Sequence, residues 1–269
     1  MFEIKSHYTL ADVPLLIRRL RDPERGCPWD IKQTHASIRQ DLLEESYEVA
    51  QAIDDNDFDA LEEELGDVLM QVVMHSEIEA ETGRFTLDDV ADRLIKKMVL
   101  RHPHVFGDVH VDSSDEVLVN WEAIKRKEKE QKTAMDAILA VPNALPALTR
   151  SAKVQKRAGY VGFDYPAVDD AIQDLESELS ELEQARKGNG DIEEEVGDLL
   201  FAAVNVARLL KVDGELALTK TTEKFIRRFQ WMEHLTAERG EDMNSLDLEA
   251  LNGIWEESKK YFKEIENND

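Results

Sequence analysis

Four acidic residues recur in the same order in both halves of this chain, and the repeat limits the possible folds more than any other feature. Glu45-x-x-Glu48 is followed after a break by Glu64-x-x-Asp67, and Glu178-x-x-Glu181 is followed by Glu195-x-x-Asp198. The neighbouring residues align too. Leu65-Gly66-Asp67-Val68-Leu69 matches Val196-Gly197-Asp198-Leu199-Leu200, Lys97 and Arg101 match Lys224 and Arg228, and Trp121-Glu122 matches Trp255-Glu256. Spacings differ by a few residues, absorbed in the breaks between predicted helices. Self-similarity on this scale means two copies of one structural unit. A copy of three or four helices is small for an independent core. The copies are therefore expected to pair, within the chain or between chains, and bury the apolar faces each leaves open.

The periodicity is helical throughout, and no alternating strand pattern of useful length occurs. A short amphipathic helix is predicted from Asp12 to Arg21, with Asp12 as cap and Pro14 in the first turn. Cys27-Pro28-Trp29-Asp30 then reads as a packed corner anchored by Trp29. Further helices are predicted over Ser37–Ile53, with Ile38, Leu42, Val49 and Ile53 near one stripe, and over Phe58–Glu79. In the latter, Leu61, Leu65, Val68, Leu69, Val72 and Val73 are expected inward. A third runs over Leu87–Arg101, and another piece begins at Trp121. In the second half, helices are predicted over Val168–Arg186, Ile192–Leu210, Glu215–Arg239 and Leu246–Phe262. The charged run Arg126–Lys132 and the turns at Pro142 and Pro146 mark a boundary. The expected organisation is an all-α tandem repeat, with units at residues 1–130 and 166–269 and a connecting segment over 131–165. Pairing would make four-helix-bundle-type assemblies.

Glu45 and Glu48 are one turn apart and share a helix face, as do Glu178 and Glu181. A lone Glu-x-x-Glu is usually a solvated surface. Here Glu64 and Asp67 lie within the apolar stripe of their helix, not opposite it, and Glu195 and Asp198 repeat the arrangement. Like charges near 4 Å repel by roughly 4 kcal/mol at an effective dielectric of 20, so a cluster of four calls for protons or a metal. Oxygen-only ligands favour Mg²⁺, or Mn²⁺, over zinc, and Mg²⁺ also accepts phosphate oxygens of a substrate. Lys97 and Arg101, or Lys224 and Arg228, would then clamp phosphates. Trp121 or Trp255 would stack on a base, against the plainer reading that each packs in a core.

Charge bears on partners. The chain has 269 residues with 33 Lys+Arg against 58 Asp+Glu, a formal charge of −25. That balance argues against a nucleic-acid polymer as ligand, because duplex affinity rests on cations meeting phosphates. An anionic substrate needs local screening, by metal ions and a few placed basic residues. The single cysteine, Cys27, rules out a disulfide within the chain and suits a reducing cytoplasm. Residues Met1–Asp30 mix apolar and charged types, so no signal peptide is expected, and no run approaches the roughly 20 apolar residues of a membrane span.

The same residues resemble the MazG family of all-α nucleoside triphosphate pyrophosphohydrolases, in a two-copy form covering nearly the whole chain. The likeness is carried by Glu44-Glu45-Ser46-Tyr47-Glu48 with Glu64-Leu65-Gly66-Asp67, and by Arg101-His102-Pro103-His104-Val105-Phe106. It continues in Glu193-Glu194-Glu195-Val196-Gly197-Asp198 and Lys224-Phe225-Ile226-Arg227-Arg228-Phe229. The resemblance implies Mg²⁺-dependent hydrolysis of NTPs and dNTPs between the α and β phosphates, a homodimer of helical bundles, and clearance of unwanted nucleotides. It implies that Glu178, Glu181, Glu195 and Asp198 hold the metal, that Lys224 and Arg228 hold phosphates, and that Trp255 sits near the nucleotide. One of the carboxylates, or the metal, would activate water. Two differences between the copies favour the second as the main site. Asn205 stands where the first copy has Met74, offering an amide to a sugar or base, and Arg227 thickens the basic cluster. The first copy, with Glu45, Glu48, Glu64, Asp67, Lys97 and Arg101, is expected to be weaker or mainly structural.

Other readings fit less well. A ferritin-like di-iron site needs Glu-x-x-His, and none of the seven histidines has Glu three residues before it. A P-loop needs Gly-Lys-Ser/Thr, which is missing. An acidic helical dimerisation protein without catalysis remains as the non-enzyme reading, and a dUTP or dCTP pyrophosphatase of the same all-α group as a narrower enzyme reading.

Overall fold

A computed structural model describes residues 2–266. It is helical, with no strand among the described residues. The helices are α1 (Val13–Leu20), α2 (Arg39–Asp55), α3 (Phe58–Glu81), α4 (Leu87–Arg101), α5 (Pro103–Phe106) and α6 (Ser114–Glu128). They continue as α7 (Ala134–Leu139), α8 (Ala147–Gly159), α9 (Val168–Ala185), α10 (Ile192–Leu209), α11 (Gly214–Glu238) and α12 (Leu248–Glu266). The chain divides into two compact units, between Lys125 and Arg126, inside α6.

In the first unit α2 and α3 form an antiparallel hairpin, set by a very short turn. Asn56 ends α2 in the left-handed region at φ 56°, a conformation asparagine tolerates better than other side chains. The next residue, Asp57, caps α3 by accepting the Ala60 N–H at 3.0 Å. Both α1 and α4 pack on α3. The core is small: Ile17, Ile38, Val73 and Met74 are buried, ringed by Val13, Leu20, Leu69, Ile78 and Leu87. Leu65 and Val72, expected inward, are 52% and 39% exposed, because α1 and α2 cover only part of the broad apolar stripe on α3.

The Trp29 corner is built differently from the expectation. Trp29 is 59% exposed and anchors nothing, whereas Asp30 beside it is buried. The anchor is Arg21. Its guanidinium donates to both oxygens of Glu81, at 2.6 and 2.8 Å, and to the carbonyls of Asp30 (2.6 Å) and Gln33 (3.2 Å). Gly26 lets the chain turn here, since a Cβ would collide with the Leu20 carbonyl. The far end of the loop is tied by His35. Its Nδ1 shares a 2.7 Å hydrogen bond with His75 Nδ1, and its Nε2 pairs with Glu79, which also binds Arg84. Burial, then the His35 charge, lowers the His75 pKa. Arg84, then His35, holds the Glu79 carboxyl low.

The second unit repeats the hairpin as α9 and α10. Its turn uses Gly188 at φ 96°, and Asp191 caps α10 by accepting the Glu193 N–H at 2.9 Å. Residues 131–165, read from sequence as a connecting segment, contain α7 and α8, and α8 packs on α10 and α11. The last helix, α12, packs on α11. In the first unit α6 begins at Ser114, ahead of the expected start at Trp121, with Ser113 Oγ accepting the Glu116 N–H.

Candidate active site

The two hairpins place the acidic pairs face to face. Glu45 and Glu48 project from one face of α2 and Glu64 from α3, with one oxygen from each lying within 4.8 Å of the others. In the second unit Glu178, Glu181 and Glu195 meet within the same distance. Asp67 and Asp198 lie one turn further along α3 and α10. The crowding shows in the proton affinities. Burial, then Asp67 and Glu48, pushes the Glu45 carboxyl up from 4.5 to about 6. The Glu64 carboxyl rises through burial, then Glu48 and Asp67. In the second unit, burial leads again, with Glu181 and Asp198 next, in raising both Glu178 and Glu195. The first cluster is the more enclosed of the two, since Asp67 is half-buried and Asp198 exposed. Donors that are all carboxylate oxygens suit a hard divalent cation, which removes the repulsion that burial magnifies.

The basic residues form a second repeated element. Arg101 is buried on α4 with its guanidinium 5.6 Å from the centre of the Trp121 ring, and Lys97 lies half-buried one turn before it. Arg228 on α11 lies 5.8 Å from the Trp255 ring, and Phe225 packs on the same indole at 5.1 Å. Each unit thus holds a cation–π pair between two helices. The Nε of Arg228 is buried without a hydrogen-bond partner. Lys224 and Arg227 are exposed and make no ion pair among the described residues. No described contact joins Lys224, Arg227 or Trp255 to the second carboxylate cluster. Asn205, expected to offer an amide to a sugar or base, has its oxygen engaged within the unit. Its Oδ1 accepts from Arg208 at 2.6 and 3.0 Å, and Arg208 is paired with Asp164 at 2.5 Å.

Sequence reasoning missed a cavity of about 370 Å³ beside Glu45 and Glu48. Trp29, Ile38, Met70, Gln71 and Met74 contribute to its wall. Trp29 reaches it because the loop is tied by residues 40 to 60 positions away in the chain. Gln71 had a legible signal, a lone amide among the apolar residues of α3. In the second unit, Tyr165 was also missed. Burial, followed by Asp174 and then Glu178, raises the pKa of its hydroxyl.

Comparison with known proteins gives a consistent result. The model of the MazG nucleotide pyrophosphohydrolase domain matches residues 33–106 and 168–233, one segment in each half. The chain is 46% identical over 249 residues to "Nucleoside triphosphate pyrophosphohydrolase" of Escherichia coli (strain K12), covering 91% of this chain and 95% of that protein. It is 44% identical over 244 residues to "Nucleoside triphosphate pyrophosphohydrolase/pyrophosphatase MazG" of Thermotoga maritima, covering 91% and 93%. A shorter match, 39% identical over 165 residues, links it to "Nucleoside triphosphate pyrophosphohydrolase" of Mycobacterium tuberculosis, over 61% of this chain and 49% of that one. With both hairpins carrying the matched acidic pattern, the chain belongs to the MazG nucleotide pyrophosphohydrolase family.

Proposed function

We propose that this chain is a nucleoside triphosphate pyrophosphohydrolase, acting on NTPs and dNTPs with Mg²⁺ and clearing unwanted nucleotides from the cytoplasm. The observation that carries the reading is the convergence of three carboxylate oxygens from two helices, in both units. Glu178, Glu181, Glu195 and Asp198 would hold the cation, and Glu45, Glu48, Glu64 and Asp67 would hold one in the first copy. When bound, Mg²⁺ (or Mn²⁺) supplies charge neutralisation at the triphosphate oxygens.

The residues of the chain divide the remaining work. Lys224, Arg227 and Arg228 hold the phosphates that leave as pyrophosphate, and Trp255 lies against the nucleoside. Water attacks the α-phosphorus, the bond to the α–β bridging oxygen breaks, and a carboxylate of the cluster accepts the proton from water. The second copy carries the greater part of turnover, on the strength of Arg228 over Trp255 and the exposed Lys224 and Arg227 on the same helix. Lys97 and Arg101 play the matching part in the first copy. The active form is a homodimer. In support, Leu65, Val72, Leu200 and Phe201 lie 52%, 39%, 53% and 44% exposed on the paired helices, a cost that a second copy would remove. No described helix is long and apolar enough to cross a membrane.

Hydrolysis in ¹⁸O-labelled water tests the point of attack. Label in the monophosphate supports it. Label in the pyrophosphate places attack at the β-phosphorus and rejects the mechanism.

A further inference from the structure

In each unit one helix precedes the hairpin and packs on its second arm, α1 on α3 and α8 on α10. The charges at these two contacts differ. Cations of α1 are met by acids of α3: Arg18 pairs with Glu77 at 3.0 Å and Arg21 with Glu81 at 2.6 Å. Residues 137–163, which include α8, contain Arg150, Lys153, Lys156 and Arg157 and no Asp or Glu, in a chain with 58 acids to 33 bases. Lys153 and Lys156 are one turn apart on the face of α8 that lines a cavity of about 320 Å³. Arg208 and Lys211, at the end of α10, line it from the other side. Arg208 is engaged by Asp164 and Asn205. The side chains of Lys153, Lys156 and Lys211 make no hydrogen bond or ion pair among the described residues. The two acids of the wall are held by neutral donors and reach none of these lysines. Glu215 accepts from the N–H and the hydroxyl of Thr149, each at 3.2 Å, and Asp213 accepts the Leu216 N–H at 3.0 Å. Lys211 adds an observation of a different kind. It stands one residue past the cap of α10 at φ 61°, in the left-handed region that is costly for a side chain without a local hydrogen bond. The same position past α3 is filled by Gly83, at φ 72°. Strain of this kind is retained where the side chain serves a site.

We propose that this cavity binds a small anion carrying two linked phosphate groups, held by Lys153, Lys156 and Lys211, at a place separate from the carboxylates. The separation follows from α10, where Asp198 and Arg208 stand about 15 Å apart along the helix axis. The cavity volume falls in the range of small-molecule sites, roughly 300–1,000 Å³. Lysine ammonium groups meet phosphate oxygens as point charges and need no metal to do so. Like charges gathered without a counter-charge repel, and a bound anion removes that repulsion. Three cations from two helices favour an anion with more than one phosphate over a single one. The site belongs to the second unit alone, because Glu77 and Glu81 occupy the cations of α1 in the first. It goes beyond the triphosphate reading and does not depend on it, since this binding requires neither a divalent cation nor turnover.

The test titrates the full-length chain calorimetrically with inorganic pyrophosphate in EDTA, where the carboxylate clusters hold no cation. Saturable binding is expected, about tenfold tighter than that of inorganic phosphate or sulfate. Lys153→Gln and Lys211→Gly should each weaken it about tenfold. Lys211→Gly also relieves the left-handed strain, so its melting temperature should equal or exceed that of the natural chain. Weaker binding by that variant is then no folding defect. ADP serves as a second probe. Affinity equal to that of pyrophosphate identifies the phosphate end of a nucleotide as the occupant, weaker affinity identifies the free anion, and either supports the proposal. Three results would overturn it: no saturable binding of pyrophosphate, equal affinity for sulfate, or binding that survives both lysine variants and is lost in Arg227→Gln, which would put the anion on α11 instead.

Discussion

Replacing Glu45 with glutamine should stabilise the metal-free first unit at neutral pH, although it removes a residue of the site. The half-buried Glu45 carboxyl is pushed up from 4.5 to about 6 by burial, Asp67 and Glu48. A carboxyl with a higher pKa in the folded than in the unfolded chain keeps its proton on folding. Its contribution is fully favourable below 4.5 and is lost as pH rises through about 6. That interval corresponds to about 2 kcal/mol at 25 °C, and solvent screening of a partly exposed group brings it to about 1 kcal/mol. Glutamine cannot ionise, so the variant escapes the loss. The assay is hydrogen exchange of α2 and α3 amides at pH 5 and pH 8, in EDTA and in Mg²⁺. In EDTA at pH 8 the variant should be the more protected, by about 1 kcal/mol of opening free energy, and at pH 5 the gap should narrow to less than half of that. In Mg²⁺ the order should reverse, because the bound ion stabilises only the chain that holds it. Lower protection of the variant in EDTA at pH 8, or equal gains from Mg²⁺ in both proteins, would refute the reasoning.

Other perturbations follow from the same structure. Arg21→Ala removes a buried guanidinium from the exposed Glu81 carboxylate and leaves the Asp30 carbonyl without its donor, so urea unfolding should report a loss of about 1–3 kcal/mol. Asn56→Ala puts a β-carbon with no local hydrogen bond into the left-handed turn between α2 and α3, and should cost roughly 1 kcal/mol, while Asn56→Gly should be neutral or better by thermal melting. Glu178→Ala should reduce turnover of triphosphates at least about a hundredfold. Glu45→Ala should reduce it less, and a larger loss from Glu45→Ala in steady-state kinetics would reverse the ranking of the copies.

The long hairpin helices were legible in the sequence because period and punctuation agreed. Asp57 and Asp191 cap α3 and α10 where their runs begin, and the α4 bounds at Leu87 and Arg101 match the expectation. Shorter helices were not. The six residues of α7 are too few to show a period, and α8 lay in a stretch read as a linker between prolines. The acidic triads were legible because spacing on a helix fixes a face. The cavity was not, since its walls depend on pairings such as Arg21 with Glu81 and His35 with His75, far apart in the chain. Asn205 shows how a local pairing escapes the sequence. An amide that looked open in sequence spends its oxygen on Arg208 one turn away.

The most direct test of the central claim is product analysis with the eight common NTPs and dNTPs, with and without Mg²⁺. The account predicts monophosphate plus pyrophosphate, abolished by chelation and cut at least about a hundredfold by Glu178→Ala. Diphosphate plus orthophosphate, or the same products undiminished in the chelated protein, would contradict it.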